Sequence, residues 1–147
     1  MKPMTQHRGT EDTEKTAVML GEERYVHKEL TERIIGAAIE VHRALGPGLL
    51  ESVYEECLAD EFQHSGIQFT RQLELPIEYK GRRLDAGYRL DFLIDNTVVI
   101  ELKAVEKIMP IHEAQLLTYL RLAKKRVGLL MNFNVPRLRD GLLRRIL

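Results

Sequence analysis

The sequence predicts an α/β domain (an α+β arrangement with a mixed sheet) in the order α-α-β-β-β-α-β-α. Three observations predict it. Apolar residues recur at helical spacing from Glu29 to about residue 64. The period then falls to two through residues 72–104. Beyond that, a helical stretch, a short apolar run and a second helical stretch close the chain.

Residues 1–25 are polar and without sustained period, and read as a mobile tail; 26–147 then form a single domain. Leu30, Ile34, Ala37, Ala38, Val41 and Leu45 make one amphipathic stripe, so 29–45 is expected to be a helix. The Gly46-Pro47-Gly48 stretch ends it, because glycine terminates helices and proline cannot continue one. A second helix over about 49–64 carries Leu50, Val53, Tyr54, Cys57, Leu58 and Phe62, and stops at His64-Ser65-Gly66.

Leu73, Leu75, Ile77 and Tyr79 alternate with polar residues as a half-buried strand. Pro76 inside it argues for a sheet edge or a bulge. A turn at 80–82 leads to a strand over about 84–94, a turn at 95–97 and a third strand over 98–104. A helix over 111–125 follows Pro110, then a short strand at 127–133, then a final helix over about 137–146 on Leu138, Leu142, Leu143 and Ile146.

A chain of 147 residues, 44% hydrophobic and 30% charged, is long enough to bury roughly two thirds of its unfolded surface. One cysteine, Cys57, rules out an internal disulfide and a cysteine cluster; it is expected to pack as a small apolar residue. No apolar run reaches the ~20 residues a bilayer span needs, and the polar N-terminus lacks the apolar core of a signal peptide. No membrane association and a cytoplasmic location are therefore expected. Net charge is zero, but residues 121–147 hold eight Lys/Arg against the single acid Asp140. Arg144 and Arg145 within that run are candidates for contact with nucleic-acid phosphates; the plainer reading is that these cations solvate helix faces.

The chemistry concentrates in residues 89–104, Arg-Leu-Asp-Phe-Leu-Ile-Asp-Asn-Thr-Val-Val-Ile-Glu-Leu-Lys-Ala. Leu90, Phe92 and Ile94 are expected on one face of their strand, Asp91 and Leu93 on the other. Val98, Ile100 and Leu102 oppose Val99, Glu101 and Lys103 in the same way. A three-residue loop, Asp95–Thr97, sets Ile94 opposite Val98, and the same register sets Asp91 opposite Glu101. Facing Cβ atoms lie ~4.5–5.5 Å apart. Two carboxylates so placed repel, and one is driven toward its protonated form unless a cation intervenes. Lys103 shares their face. Carboxylates without His or Cys suit a hard ion such as Mg²⁺ or Mn²⁺, with water and phosphate filling the remaining positions. The arrangement suits metal-assisted phosphodiester hydrolysis, with a lysine to stabilise developing charge. The alternative is a surface salt bridge from Lys103 to either acid on a solvated sheet.

His112 is expected to cap its helix or lie on the surface, and His42 and His64 to lie on helix faces. No paired His or Cys spacing points to zinc. No nucleophile elbow and no phosphate-binding P-loop are present.

Asp91, nine residues, then Glu101-Leu102-Lys103 resembles the signature of the PD-(D/E)XK nuclease superfamily, with Leu90 where the signature's name has proline. That likeness implies a restriction-endonuclease-like α-β-β-β-α-β core with an added N-terminal and C-terminal helix. Gly48-Leu49-Leu50-Glu51-Ser52-Val53-Tyr54, together with the stretches at 88–104 and 112–122, is similar to the GxxExxY branch. The resemblance covers about residue 30 to the end. It implies Asp91 and Glu101 as metal ligands, Glu51 as an acid completing the metal site and aiding catalysis, Lys103 as the catalytic lysine and Gln115 as its companion. Tyr119, one turn beyond Gln115, is expected to meet substrate. Tyr54 is expected near the substrate or, more simply, in packing, and Gly48 in a turn. The implied activity is Mg²⁺- or Mn²⁺-dependent hydrolysis of DNA by a metal-activated water. The rival is a catalytically silent module that keeps the fold and binds nucleic acid or a protein. Fold analogy alone suggests a homodimer.

Overall fold

The computed structural model describes residues 27–147; the expected tail and its boundary at residues 25–26 lie outside them. Helix α1 spans Lys28–Leu45 and α2 spans Glu51–His64. Strands follow at β1 (Phe69–Glu74), β2 (Ile77–Tyr79), β3 (Arg82–Leu84), β4 (Arg89–Ile94) and β5 (Val98–Lys103). Helix α3 (Pro110–Ala123), strand β6 (Val127–Asn132), a 3₁₀ turn (Leu138–Gly141) and strand β7 (Leu142–Ile146) complete the fold. The main sheet has the order β1-β4-β5-β6-β7; β2 and β3 form a separate two-stranded hairpin. Among the described residues only β5 and β6 run parallel, with α3 as their crossover.

The sheet is sandwiched, and each face has its own core. Helices α1 and α2 bring Ile34, Val41, Tyr54, Leu58 and Phe62 against Phe92, Ile94, Val98, Ile100 and Leu102. On the other face, Leu116 and Leu120 of α3 meet Leu93, Val99 and Leu130. Burial on both faces explains why β5 and β6 read as nearly continuous apolar runs. Phe62, Phe69 and Phe92 interlock with centroids 5.3–5.6 Å apart. Cys57 is half-buried against the first core. No helix among the described residues is long and apolar enough to cross a membrane.

Three expectations need correction. The long strand over 72–80 is two strands: Pro76 has no N–H for the ladder, and the chain leaves the main sheet there. The strand over 84–94 breaks as well, around Gly87 at φ 78°, so β2–β3 stands as an inserted hairpin. The helix over 137–146 is instead a single 3₁₀ turn followed by β7. Its leucines fit helical spacing, but β6 offers an open edge, and pairing from Val127↔Ile146 to Met131↔Leu142 wins. Leu142 and Ile146 then face the first core and Leu143 the second, a period of two.

Candidate functional site

The hairpin β4–β5 has the expected register: Ile94↔Val98, Leu93↔Val99, Phe92↔Ile100. Continued one step, it sets Asp91 across from Glu101. There the ladder stops, and carboxylates replace carbonyls as acceptors. The Leu102 N–H donates to Asp91 Oδ2 at 2.7 Å, and the Asp91 N–H donates to Glu101 Oε1 at 3.1 Å. On the other flank, the β1–β4 ladder skips the step between Arg71↔Phe92 and Leu73↔Leu90. Gln72, facing that gap, has a left-handed φ of 50°. Asp91 therefore sits where both neighbouring ladders are interrupted. Alternation of side chains also breaks here: Leu90 packs with the α3-side core, not beside Phe92 as expected.

Burial dominates the electrostatics. The Glu101 carboxyl is pushed up to about 9, by loss of solvent first and by the charge of Asp91 second. Asp91 is also raised, chiefly by burial, against the lowering effect of the Leu102 N–H. Lys103 is half-exposed; no ion pair joins it to any described acid, although its charge favours the ionised forms of Glu51, Asp91 and Glu101. The expected alternative of a surface salt bridge is thus not what the strand face holds. Its place in β5 is fixed by the pair with Asn132 of β6. Buried Asn132 fastens the segment after Lys103: its Oδ1 accepts from the Val105 N–H at 3.1 Å, and its Nδ2 donates to the Val105 carbonyl at 2.9 Å.

Glu51 opens α2, where a carboxylate also favours the helix dipole. Its side chain is exposed, with protein crowding one flank; that partial burial, then Asp91, raises its carboxyl. The local path follows from Tyr54. This ring is fully buried and stacked on Phe133 at 4.6 Å. Its hydroxyl donates to the Gly46 carbonyl at 2.6 Å and accepts from the Leu49 N–H at 3.2 Å. Tyr54 thus pins the loop before Glu51 and, with no exposed surface, does not meet substrate as one reading of the sequence had it.

Tyr119, on α3, is half-buried, and its phenol is pushed up by burial first and then by Glu101. Gln115 is exposed one turn earlier on the same helix. His112 caps α3, its Nδ1 accepting from the Met109 N–H at 2.9 Å. Arg144 and Arg145 lie on the edge strand β7, two strands from β5. Arg145 pairs with Glu113 of α3 at 2.5 Å, and Arg144 is also engaged, so this basic run is partly tied within the fold.

Sequence reasoning missed two neighbours of Asp91. Glu55, one turn past Glu51, raises the Asp91 carboxyl and pairs with Arg71, which also bonds Glu56; both contacts are 2.7 Å. Gln72 bonds Glu55 and lies 3.4 Å from Asp91 Oδ1. The four-residue step from Glu51 to Glu55 was a usable signal. Gln72 left none, because its approach depends on the break in the ladder. A cavity of about 550 Å³ elsewhere, lined by Met109, Pro110, Asn132, Val135 and Leu143 among others, contains none of Asp91, Glu101 and Lys103.

Among the described residues, no group of three or more His, Cys, Asp or Glu is gathered to hold a metal ion. Glu51 stands beside the Asp91–Glu101 pair without closing a three-acid cage. The pair alone still fits a hard cation. Both donors are oxygen, both are driven toward protonation by burial first and against the pull of Lys103, and Mg²⁺ commonly takes one or two carboxylates with water and phosphate.

The profile of the PD-(D/E)XK nuclease superfamily matches residues 28–146, which include the whole sheet and both helical layers. No curated protein and no solved structure matches the chain.

Proposed function

The chain belongs to the PD-(D/E)XK nuclease superfamily, and from that premise we propose that it is a Mg²⁺- or Mn²⁺-dependent nuclease cleaving DNA phosphodiester bonds at the β4–β5 fork. Nucleases of this superfamily generally use divalent metals. The observation that carries the reading is the pair of desolvated carboxylates, Asp91 and Glu101, each anchored by a backbone N–H, with Lys103 on the same strand as Glu101.

Asp91 and Glu101 are the metal ligands in this reading. The backbone N–H bonds hold both carboxylates at the fork, where they would hold the ion. A divalent ion held there supplies Lewis acidity toward a phosphate oxygen and makes a water easier to deprotonate. Lys103 places an ammonium against the charge that develops on phosphorus oxygens. Glu51 and Gln115 orient water and the phosphate from α2 and α3, and Tyr119 contacts the nucleotide. Arg144 and Arg145 are assigned to the more distant backbone. The finer placement in the GxxExxY branch rests on Gly48, Glu51 and Tyr54.

The test is cleavage of circular, linear and single-stranded DNA with Mg²⁺ or Mn²⁺. Wild type is expected to cut, and Lys103→Ala to lose roughly 10²–10³ of the rate. Inactivity of the wild type with both ions, or undiminished cleavage by Lys103→Ala, overturns the reading. The rival is a catalytically silent module that keeps the fold and binds nucleic acid or a protein partner. Calorimetry separates the two: that module takes up neither ion.

A further inference from the structure

Two features beside the fork are not used by the reaction outlined above. Tyr88, immediately before β4, is 44% exposed. Its ring lies 6.2 Å from that of Tyr119, at 59°. Tyr119 in turn lies close enough to Glu101 and Asp91 to feel both charges. Two aromatic rings thus form one wall of the site, three residues upstream of Asp91. Tyr119 is half-buried against the second core, whereas Tyr88 beside it stays open to water. Tyr54, spent on packing, shows how this chain buries such a ring when it serves the core.

The second feature is the inserted hairpin. It carries Lys80, Arg82 and Arg83, all exposed, with Tyr79 60% exposed and the Lys80 ammonium 5.4 Å from its ring centre. Arg83 reaches Asp85 only loosely, at 3.5 Å in open solvent. The hairpin's base and Tyr88 line one cavity of about 120 Å³. The Leu75 N–H donates to the Tyr88 carbonyl at 2.8 Å, which ties hairpin and tyrosine together. Cations interleaved with open aromatic faces match the chemistry of an unpaired polynucleotide. Every base has a π-face to stack, and the backbone carries one charge per residue.

We propose that Tyr88 and Tyr119 stack unpaired bases beside the cleaved phosphate while Lys80 and Arg82 track the backbone, so that the substrate is single-stranded nucleic acid or the frayed end of a duplex. A paired base is closed off by its neighbours in the stack and offers no face to the tyrosine wall. The proposal rests on the nuclease reading for the position of the cleaved bond only; stacking requires no turnover.

The sequence contains no tryptophan, so Tyr88→Trp introduces a sole indole reporter. The full chain carrying Tyr88→Trp and Lys103→Ala is titrated with oligothymidylate, oligouridylate and a blunt, closed duplex. Quenching by either single strand and not by the duplex is the expected result. Adding Tyr119→Ala should weaken single-strand binding about ten-fold, whereas Tyr119→Phe, which keeps the ring, should restore it. Neutralising Lys80 and Arg82 should lower the salt dependence of binding by roughly one ion per residue. Equal affinity for duplex and single strand, or an indole indifferent to both, overturns the proposal. If wild type nevertheless cuts duplex DNA, the nuclease reading survives that failure. If the indole is quenched but wild type cuts nothing, the stacking wall stands and the nuclease reading falls.

Discussion

Asp91 and Glu101 complete each other's strand: Glu101 accepts the Asp91 N–H, and Asp91 accepts the N–H of Leu102, the residue after Glu101. Two ladder hydrogen bonds are replaced by bonds to side chains at the point where β4 and β5 separate. The acids are thereby desolvated and opposed in the same step, which makes their titration a property of the fold.

The first prediction follows from Glu101. Its carboxyl titrates at about 9 in the folded chain and at 4.5 in the free residue. Between those values the folded chain holds a proton that the unfolded chain has released. Stability of the metal-free protein is therefore greatest on the acid side of this window and declines as pH rises from about 4.5 toward 9. Glu56, lowered by its bond to Arg71, acts oppositely, but only in acid near and below its ordinary value. A melting series should show the decline, Glu101→Gln should flatten it, and Mg²⁺ should reverse it. Calorimetry in buffers of different ionisation heat should find about one proton released per ion bound near pH 7.

Gln72 supplies the second. Its left-handed backbone costs about 1 kcal/mol or more for a residue with a Cβ. Gln72→Gly should leave the melting temperature unchanged or raise it by roughly 4 °C. It should also lower metal affinity about ten-fold, because Asp91 loses a neighbour that orients it. A variant that is both less stable and equally avid for Mn²⁺ would contradict the assignment.

For Tyr54 the expectation separates packing from binding. Tyr54→Phe keeps the ring on Phe133 and removes the bonds to Gly46 and Leu49. Chemical denaturation should show a loss of about 1–3 kcal/mol. Affinity for oligonucleotides should not change, since the hydroxyl faces the loop.

Two glycines give a graded contrast. A Cβ at Gly141 would lie 2.2 Å from the Asn132 carbonyl oxygen, a backbone atom. At Gly128 it would meet Leu116 Cδ1 at 2.8 Å, the end of a side chain able to rotate. Gly128→Ala should cost about 1–3 kcal/mol and fold. Gly141→Ala should be the more damaging, visible as the lower yield of soluble protein and the lower melting temperature.

Much of the fold was legible in the sequence, for identifiable reasons. The stripe from Leu30 to Leu45 and the Gly46-Pro47-Gly48 stop are local signals, and α1 ends at Leu45. The Asp95–Thr97 loop fixed the β4–β5 register, and with it the meeting of Asp91 and Glu101. Errors came where a distant partner decided. Leu138, Leu142, Leu143 and Ile146 suit a helix and a strand alike, and only the free edge of β6 chooses. The inserted hairpin was hidden because alternation continues through Pro76 with no change of period. Gln72 could not be found at all: its role depends on a ladder step that is skipped.

The two bonds at the fork also bear on what selection can preserve. Replacing Asp91 leaves the Leu102 amide without its acceptor, and replacing Glu101 does the same to the Asp91 amide. A descendant that had abandoned hydrolysis would still be held to both acids by the need to keep its sheet together. Their persistence in a lineage is therefore a record of architecture as much as of chemistry. Lys103, which carries no such duty, is the position whose drift would mark a retired enzyme.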